Sequence, residues 1–197
     1  MYGTVHTAGI NPLRHQPKKN RLKHPKADPA KRKRFLRLQA RYRRKGKELV
    51  YLDESGFRRD WVRAYGYSVK GRPCIIGHDW HGKNQVNAIG AWHQDKRLFA
   101  VGLFEQGING TVFQTWLEQV LLPQLPHHSV VIMDNASFHK RVAVAGLLES
   151  KGHTVLWLPP YSPDLNPIEK VWAWVKALRN KQRLNDIGEL FSLCMND

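Results

Sequence analysis

Residues 154–179 read TVLWLPPYSPDLNPIEKVWAWVKALR, a stretch that encodes a strand, a proline-rich turn and a helix in succession. The apolar run 154–158 predicts a buried strand, and the four prolines that follow it end the strand and stiffen the turn. We expect Asn166 to cap the helix, with Pro167 at its first position and Glu169 at its third. Apolar side chains then recur at helical spacing and predict one buried stripe, formed by Ile168, Val171, Trp172, Val175 and Leu178.

Two earlier runs predict buried strands that each end in an acid: ELVYLD at residues 48–53 and SVVIMD at residues 129–134. Runs 85–92 and 97–104 predict a β-hairpin, whereas residues 54–84 contain five glycines and indicate turns with short strands. Strands and helices alternate in the last third of the chain, which favours an α/β fold with at least partly parallel pairing and crossover helices. The further expected helices cover residues 112–122, capped by Thr111, residues 139–151, and an amphipathic stretch from Ile187.

Positive charge is concentrated at the N-terminus of this 197-residue chain, whose formal net charge is +16. Residues 1–47 contain 16 Lys and Arg and one acid, so this segment carries a charge of +15 and the rest of the chain is nearly neutral. We expect a domain boundary near Lys47, preceded by a basic helix over residues 30–45 that carries a thin apolar stripe (Phe35, Leu38, Tyr42) and ends at Gly46.

Such a basic arm suits a nucleic acid partner, because Lys and Arg side chains on phosphates release condensed counterions. The alternative is a solvated arm that only keeps the chain in solution. The predicted nucleic-acid contacts are Lys31, Arg32, Lys33, Arg34, Arg37, Arg41, Arg43, Arg44, Arg58, Arg59 and, by stacking on bases, Trp61.

The rest of the composition argues against several protein classes. Apolar residues make up 42% of the chain, enough for one hydrophobic core but not for several. We find no apolar run long enough for a membrane span or a secretory signal. Cys74 and Cys194 lack the spacing of a disulfide framework or a zinc site, so we expect a cytoplasmic protein. His78 and His81 resemble a metal pair, but no further ligands follow at zinc spacing.

Three acids stand where catalytic groups are often found: Asp53 and Asp134 at strand ends, and Glu169 in the first turn of a helix. Sites in open α/β sheets form at the carboxyl ends of strands, so neighbouring strands would bring Asp53 and Asp134 to one edge. Three adjacent carboxylates repel one another and need a cation, for which Mg²⁺ or Mn²⁺ is the natural choice. Two such ions about 3.5–4 Å apart would activate a nucleophile and stabilise the leaving oxygen of a phosphodiester. Each acid also has a purely structural explanation, as a turn former or a capping residue.

Taken together, three motifs resemble the DDE transposases, specifically the bacterial insertion-sequence relatives of the mariner superfamily. They are YLDESGF at 51–57, VVIMDNASFHK at 130–140 and LPPYSPDLNPIEKVW at 158–172, with 34 residues between Asp134 and Glu169. The resemblance covers about residues 47–183. It implies an RNase H-like mixed sheet flanked by helices, in which the first and fourth strands are adjacent. It also implies that Asp53, Asp134 and Glu169 are the catalytic ligands of two divalent metal ions.

The same resemblance implies cut-and-paste DNA transposition, in which one strand is hydrolysed at each transposon end and the freed 3′-hydroxyl attacks target DNA. Double-stranded DNA is then the partner, a homodimer is one form that the active complex could take, and the bacterial nucleoid is the expected location. Two alternatives stay open: a catalytically idle remnant that only binds DNA, and an RNase H-like enzyme that cleaves RNA.

The chain departs from full-length relatives, which carry paired helix-turn-helix units before the catalytic domain. Only about 47 residues precede the first strand here, so we expect either a DNA reader on another chain or a shortened copy. The expected catalytic domain is residues 48–197, and the chain stops inside or just after its last helix, which is consistent with C-terminal truncation. The roles of Glu54, Asn135, His139 and Asp164, all close to the three acids in sequence, stay open.

Overall fold

A computed structural model describes residues 25–58, 68–73, 85–93, 95, 98–134 and 141–196. Within these ranges, five strands form one mixed sheet in the order β3-β2-β1-β4-β5. The alternation of strands and helices had predicted such an α/β sheet, and this prediction is confirmed. The strands are β1 (Leu49–Arg58), β2 (Gln85–His93), β3 (Leu98–Phe104), β4 (Val130–Met133) and β5 (Thr154–Trp157).

The pairing of the strands combines both directions. Strands β1, β2 and β3 are successive antiparallel neighbours, which confirms the predicted hairpin of β2 and β3. On its other side β1 pairs in parallel with β4, and β4 pairs in parallel with β5. Strand β1 is therefore the central strand, paired with β2 over most of its length and with β4 at Leu49–Tyr51. It is also longer than predicted, because residues 54–58 continue the antiparallel ladder with β2 as far as Arg58↔Gln85.

Five α-helices lie in the described part of the chain, and most of their ends have an identifiable cause. The Asp28 carboxylate accepts from Ala30 N and Lys31 N and so caps the first helix. The second helix is capped by Asn109, two residues before the predicted Thr111, and it continues into a π-helical turn at Leu117–Leu121. The helices are α1 (Pro29–Arg44), α2 (Gly110–Trp116), α3 (Arg141–Ser150), α4 (Ile168–Gln182) and α5 (Ile187–Asn196).

Each face of the sheet carries its own hydrophobic cluster. Alternate residues of β1 point to opposite faces, so Leu49, Tyr51 and Phe57 join one cluster while Val50 and Leu52 join the other. The first cluster includes side chains of α1, α4 and α5, and the second includes those of α2, the π-helical turn and α3. The sheet is thus buried between two layers of helices, as the apolar strand runs predicted.

The N-terminal helix α1 packs against the first face of the sheet. Phe35 is only 3% exposed and belongs to the first cluster, with Leu38 and Tyr42 packed beside it. Gln39 Nε2 donates a hydrogen bond of 2.8 Å to the hydroxyl of Tyr51 in β1. The predicted domain boundary near Lys47 stays a prediction, but α1 shares a core with the residues that follow it. In the described ranges we find no helix with both the length and the apolar character of a membrane span.

Candidate active site

The three carboxylates singled out in the sequence line one cavity of about 270 Å³. Asp53 projects from the middle of β1, Asp134 directly follows β4, and Glu169 lies in the first turn of α4. Prolines and Ser162 of the connection between β5 and α4 form much of the remaining wall. The structure therefore brings these three residues together, although Asp134 and Glu169 are 35 positions apart in the sequence.

The register of the sheet explains why Asp53 and Asp134 meet. Tyr51 of β1 pairs with Ile132 of β4 in the parallel ladder, and each aspartate lies two residues beyond this pair. The prediction that the two strands are neighbours is confirmed. The prediction that Asp53 ends its strand is wrong, since β1 continues to Arg58. Asp53 is consequently fixed by backbone pairing, including its register partner Gly90 in β2.

Glu169 is placed by the loop that leads into α4. Asn166 is 3% exposed, and its Nδ2 donates a hydrogen bond of 3.1 Å to the carbonyl oxygen of Leu52, next to Asp53. Its side chain is therefore turned towards β1 and not towards the helix, so the predicted capping role of Asn166 is wrong. Pro167 takes the capping position without a side-chain hydrogen bond, which puts Glu169 at the second helical residue.

The environment of Asp53 disfavours its charged form. Burial is the main cause, and the negative charge of Glu169 and then that of Asp134 add to it, raising the pKa of Asp53 from 3.8 to about 7. The backbone N–H of Glu54 and the indole N–H of Trp172 act in the opposite direction. Carboxylates grouped in this way repel one another, so a cation bound among them would favour the charged form of Asp53.

Trp172 and Gly90 were not identified from the sequence as part of this region. The Trp172 side chain is 2% exposed, and its buried Nε1 has no acceptor among the described residues within normal hydrogen-bond distance and angle. A Cβ atom on Gly90 would lie 3.0 Å from Cη2 of Trp172, so the absence of a side chain at Gly90 makes room for the indole ring. Because Gly90 is the register partner of Asp53, only knowledge of strand pairing would have connected the three residues.

The donor set fits a hard divalent cation. All three acids provide carboxylate oxygens, which Mg²⁺ and Mn²⁺ prefer, and among the described residues that line the cavity none is Lys or Arg. In the described part of the chain, however, no three His, Cys, Asp or Glu side chains lie close enough together to hold one ion as they stand. Asp134 and Glu169 are exposed, so their side chains can turn towards Asp53 at a small conformational cost.

The predicted nucleic-acid contacts have three different outcomes, and some of the other residues noted in the sequence lie outside the described part of the chain. Arg32 is largely buried, and its guanidinium binds the carboxylate of Asp164, a residue that had been a minor candidate for metal binding. Asn135 and His139, Arg59 and Trp61, and the pair His78 and His81 lie outside the described residues. The other predicted contacts have exposed side chains: Lys31, Lys33, Arg34, Arg37, Arg41, Arg43, Arg44 and Arg58.

Comparison with known proteins identifies relatives for most of the chain. The family model described as DDE superfamily endonuclease matches residues 48–191. The Tc3 transposable-element transposase of Caenorhabditis elegans is 30% identical over 132 residues, which are 64% of this chain and 40% of that protein.

Solved structures give the same fold. A Mos1 mariner paired-end complex with Mn superposes with a TM-score of 0.65 at 22% identity, over 90% of this chain and 57% of that chain. The catalytic domain of Mos1 mariner transposase superposes with a TM-score of 0.59 at 20% identity, over 87% and 82% of the two chains. The predicted RNase H-like sheet, flanked by helices, agrees with these structures. The chain spans less than half the length of the Tc3 protein and about half of the Mos1 chain in that complex.

Proposed function

This chain belongs to the DDE superfamily endonucleases, and on that premise we propose that it cleaves DNA strands and transfers them in cut-and-paste transposition, using divalent metal ions. The observation that carries the proposal is the convergence of Asp53, Asp134 and Glu169 on one cavity. Similarity to the Tc3 and Mos1 transposases supports a mariner-type reaction on double-stranded transposon ends and target DNA. Membership of the bacterial insertion-sequence branch, action as a homodimer and a location at the nucleoid are the finer parts of this proposal.

The three acids have different positions and so different proposed roles. Asp53 is the most firmly held ligand, because its own position pairs with Gly90 of β2 and the preceding Leu52 carbonyl accepts from Asn166; its unfavourable charge is relieved when a cation binds. Asp134 and Glu169 complete the ligand set from the end of β4 and the start of α4. Two Mg²⁺ or Mn²⁺ ions, when bound, supply Lewis-acid activation of the nucleophile and stabilise charge on the leaving oxygen.

The substrate contacts proposed for this reaction are electrostatic. The outward side of α1 carries a run of exposed arginines, and the helix is docked on the same face of the sheet as Asp53 and α4. Arginine binds phosphate oxygens through two parallel hydrogen bonds, but such contacts carry no base information. We therefore expect binding of DNA by this chain to show weak sequence preference.

Nicking of supercoiled plasmid by the purified chain tests the proposal. We expect nicking in Mg²⁺ that EDTA abolishes, and we expect Asp134→Ala and Glu169→Ala each to reduce it to the EDTA background. Glu149→Gln, which removes an exposed acid from α3, is the matched control and keeps the wild-type rate. Full activity of Asp134→Ala would exclude the proposed site.

A second function, DNA binding without cleavage, is favoured by one observation. As they stand, the three carboxylates do not approach one another closely enough to share an ion, and the described residues offer no other such group. The two functions differ in one measurement, since an idle remnant shifts DNA in a gel but leaves supercoiled plasmid intact in Mg²⁺ and Mn²⁺. Preferential cleavage of an RNA–DNA hybrid would instead favour an RNase H-like enzyme.

A further inference from the structure

Arg32 and Asp164 form a two-point ion pair between α1 and the loop before α4. Arg32 Nη1 lies 2.8 Å from Asp164 Oδ1, and Nη2 lies 2.7 Å from Oδ2. The Arg32 side chain is only 12% exposed and that of Asp164 is 43% exposed. A pair of parallel charge-assisted hydrogen bonds fixes direction as well as distance, and the point charge of a lysine does not reproduce it.

The α1 end of this pair is anchored independently of the loop. Phe35, one turn further along the helix, is buried in the first hydrophobic cluster. Gln39 is hydrogen-bonded to the hydroxyl of Tyr51, and Tyr51 precedes Asp53 by two residues on β1. Arg32 therefore projects from a helix that is held against the same strand that carries the central acid.

The loop end of the pair lies next to the residues that place Glu169. Asp164 belongs to a 3₁₀ turn, Pro163–Leu165, and Asn166 follows it with its hydrogen bond to the Leu52 carbonyl. Glu169 N then donates to the carbonyl oxygen of Asn166 over 3.3 Å. The loop is thus attached to α1 at Asp164 and to β1 at Asn166, immediately before the helix that presents Glu169.

We propose that Arg32 is a positioning residue of the active site, whose ion pair with Asp164 holds this loop so that Glu169 faces Asp53. Its role in catalysis rests on the proposed function, but its effect on the loop does not. An ion pair that acts only on global stability contributes little when one partner is exposed. A positioning role instead predicts a local effect, confined to the loop and the first turn of α4.

Hydrogen exchange of the whole 197-residue chain without metal tests the positioning directly. We expect the backbone amides of residues 161–169, apart from Pro163 and Pro167, which have no N–H, to exchange about fivefold faster in Arg32→Gln and in Asp164→Asn. The double variant should show no further increase. Arg32→Lys retains the charge but not the two-point geometry, so it also exchanges faster. The control is Arg37→Gln, which removes the same charge from the exposed side of α1 and leaves the loop unchanged.

Plasmid nicking at saturating DNA and Mg²⁺ connects the loop to the reaction. Arg32→Gln and Asp164→Asn are each expected to lower the maximal rate, and the charge exchange Arg32→Asp with Asp164→Arg restores much of it. Wild-type loop exchange in Arg32→Gln would overturn the proposal whether or not any variant nicks DNA. Faster loop exchange with an unchanged maximal rate would overturn it too. A wild-type chain that fails to nick contradicts the proposed function, and loop exchange then decides the role of Arg32 by itself.

Discussion

Replacing Asp53 by Asn should stabilise the metal-free chain, by an amount that increases with pH. The folded structure raises the pKa of Asp53 from 3.8 to about 7, chiefly through burial and then through Glu169 and Asp134. Because each pKa unit corresponds to about 1.4 kcal/mol, ionised Asp53 costs the folded state about 4 kcal/mol well above pH 7. Asparagine has nearly the same shape, carries no charge, and still accepts the hydrogen bond from Glu54 N.

The direction of the pH dependence follows from proton linkage. A carboxyl whose pKa is raised by folding contributes most to stability below its unfolded pKa, and this contribution is lost as pH rises through the folded pKa. The wild type should therefore lose stability relative to Asp53→Asn between about pH 4 and pH 7. From pH 5 to pH 8.5 the difference between the two proteins should grow by about 2.7 kcal/mol.

Urea unfolding in EDTA at several pH values between 5 and 8.5 measures this difference. Glu149→Gln serves as the control for loss of one negative charge, and its difference from wild type should not change with pH. Adding Mg²⁺ should reverse the ranking, since the cation stabilises only the protein that retains the carboxylate. A difference between wild type and Asp53→Asn that stays constant within about 0.5 kcal/mol over this range would refute the electrostatic account of the site.

Two further predictions concern α1. Phe35→Ala should lower the free energy of unfolding by about 3 kcal/mol, because it leaves a cavity at a buried position. Leu36, its neighbour, is 45% exposed, so Leu36→Ala should change the free energy of unfolding by less than about 0.5 kcal/mol. Urea unfolding measures both changes, and equal effects would contradict the docking of the helix. Removing exposed arginines should weaken the salt dependence of DNA binding: the slope of log K against log salt concentration should fall by about 0.9 for each phosphate that the helix no longer neutralises. A fluorescence titration measures this slope, and an unchanged slope would show that the helix does not bind DNA. The variant for this second test carries four Arg→Gln changes, at Arg34, Arg37, Arg41 and Arg44.

Local sequence patterns predicted the parts of the fold that depend on local chemistry. The apolar runs that became β4 and β5 are short, uninterrupted and followed by polar or proline residues, so both strands were identified to within a residue. Asp134 was correctly placed directly after β4 for the same reason. The last helix was also predicted, because Ile187, Leu190, Phe191 and Cys194 recur at helical spacing; in the structure Asp186 caps it by accepting from Gly188 N and Glu189 N.

Features that depend on distant partners were missed or misjudged. The end of β1 contains Ser55 and Gly56, which favour strands poorly, and only the ladder with β2 extends the strand past Asp53. Asn166 satisfied the local rule for a helix cap, but its side chain binds a carbonyl 114 residues away in sequence. Arg32 and Asp164 are 132 residues apart, and no periodicity or motif connects them.

The docking of α1 means that the matched family model and the hydrophobic core begin at different points of this chain. The matched family segment begins at residue 48, which is also where the charge balance becomes nearly neutral. Among the described residues, in contrast, the hydrophobic core continues back to Phe35 of α1, the helix that Asp28 caps. The segment that the family model matches is thus shorter than the segment that contributes to the hydrophobic core. Replacement of the N-terminal segment therefore leaves the described core covered only if the junction lies before α1.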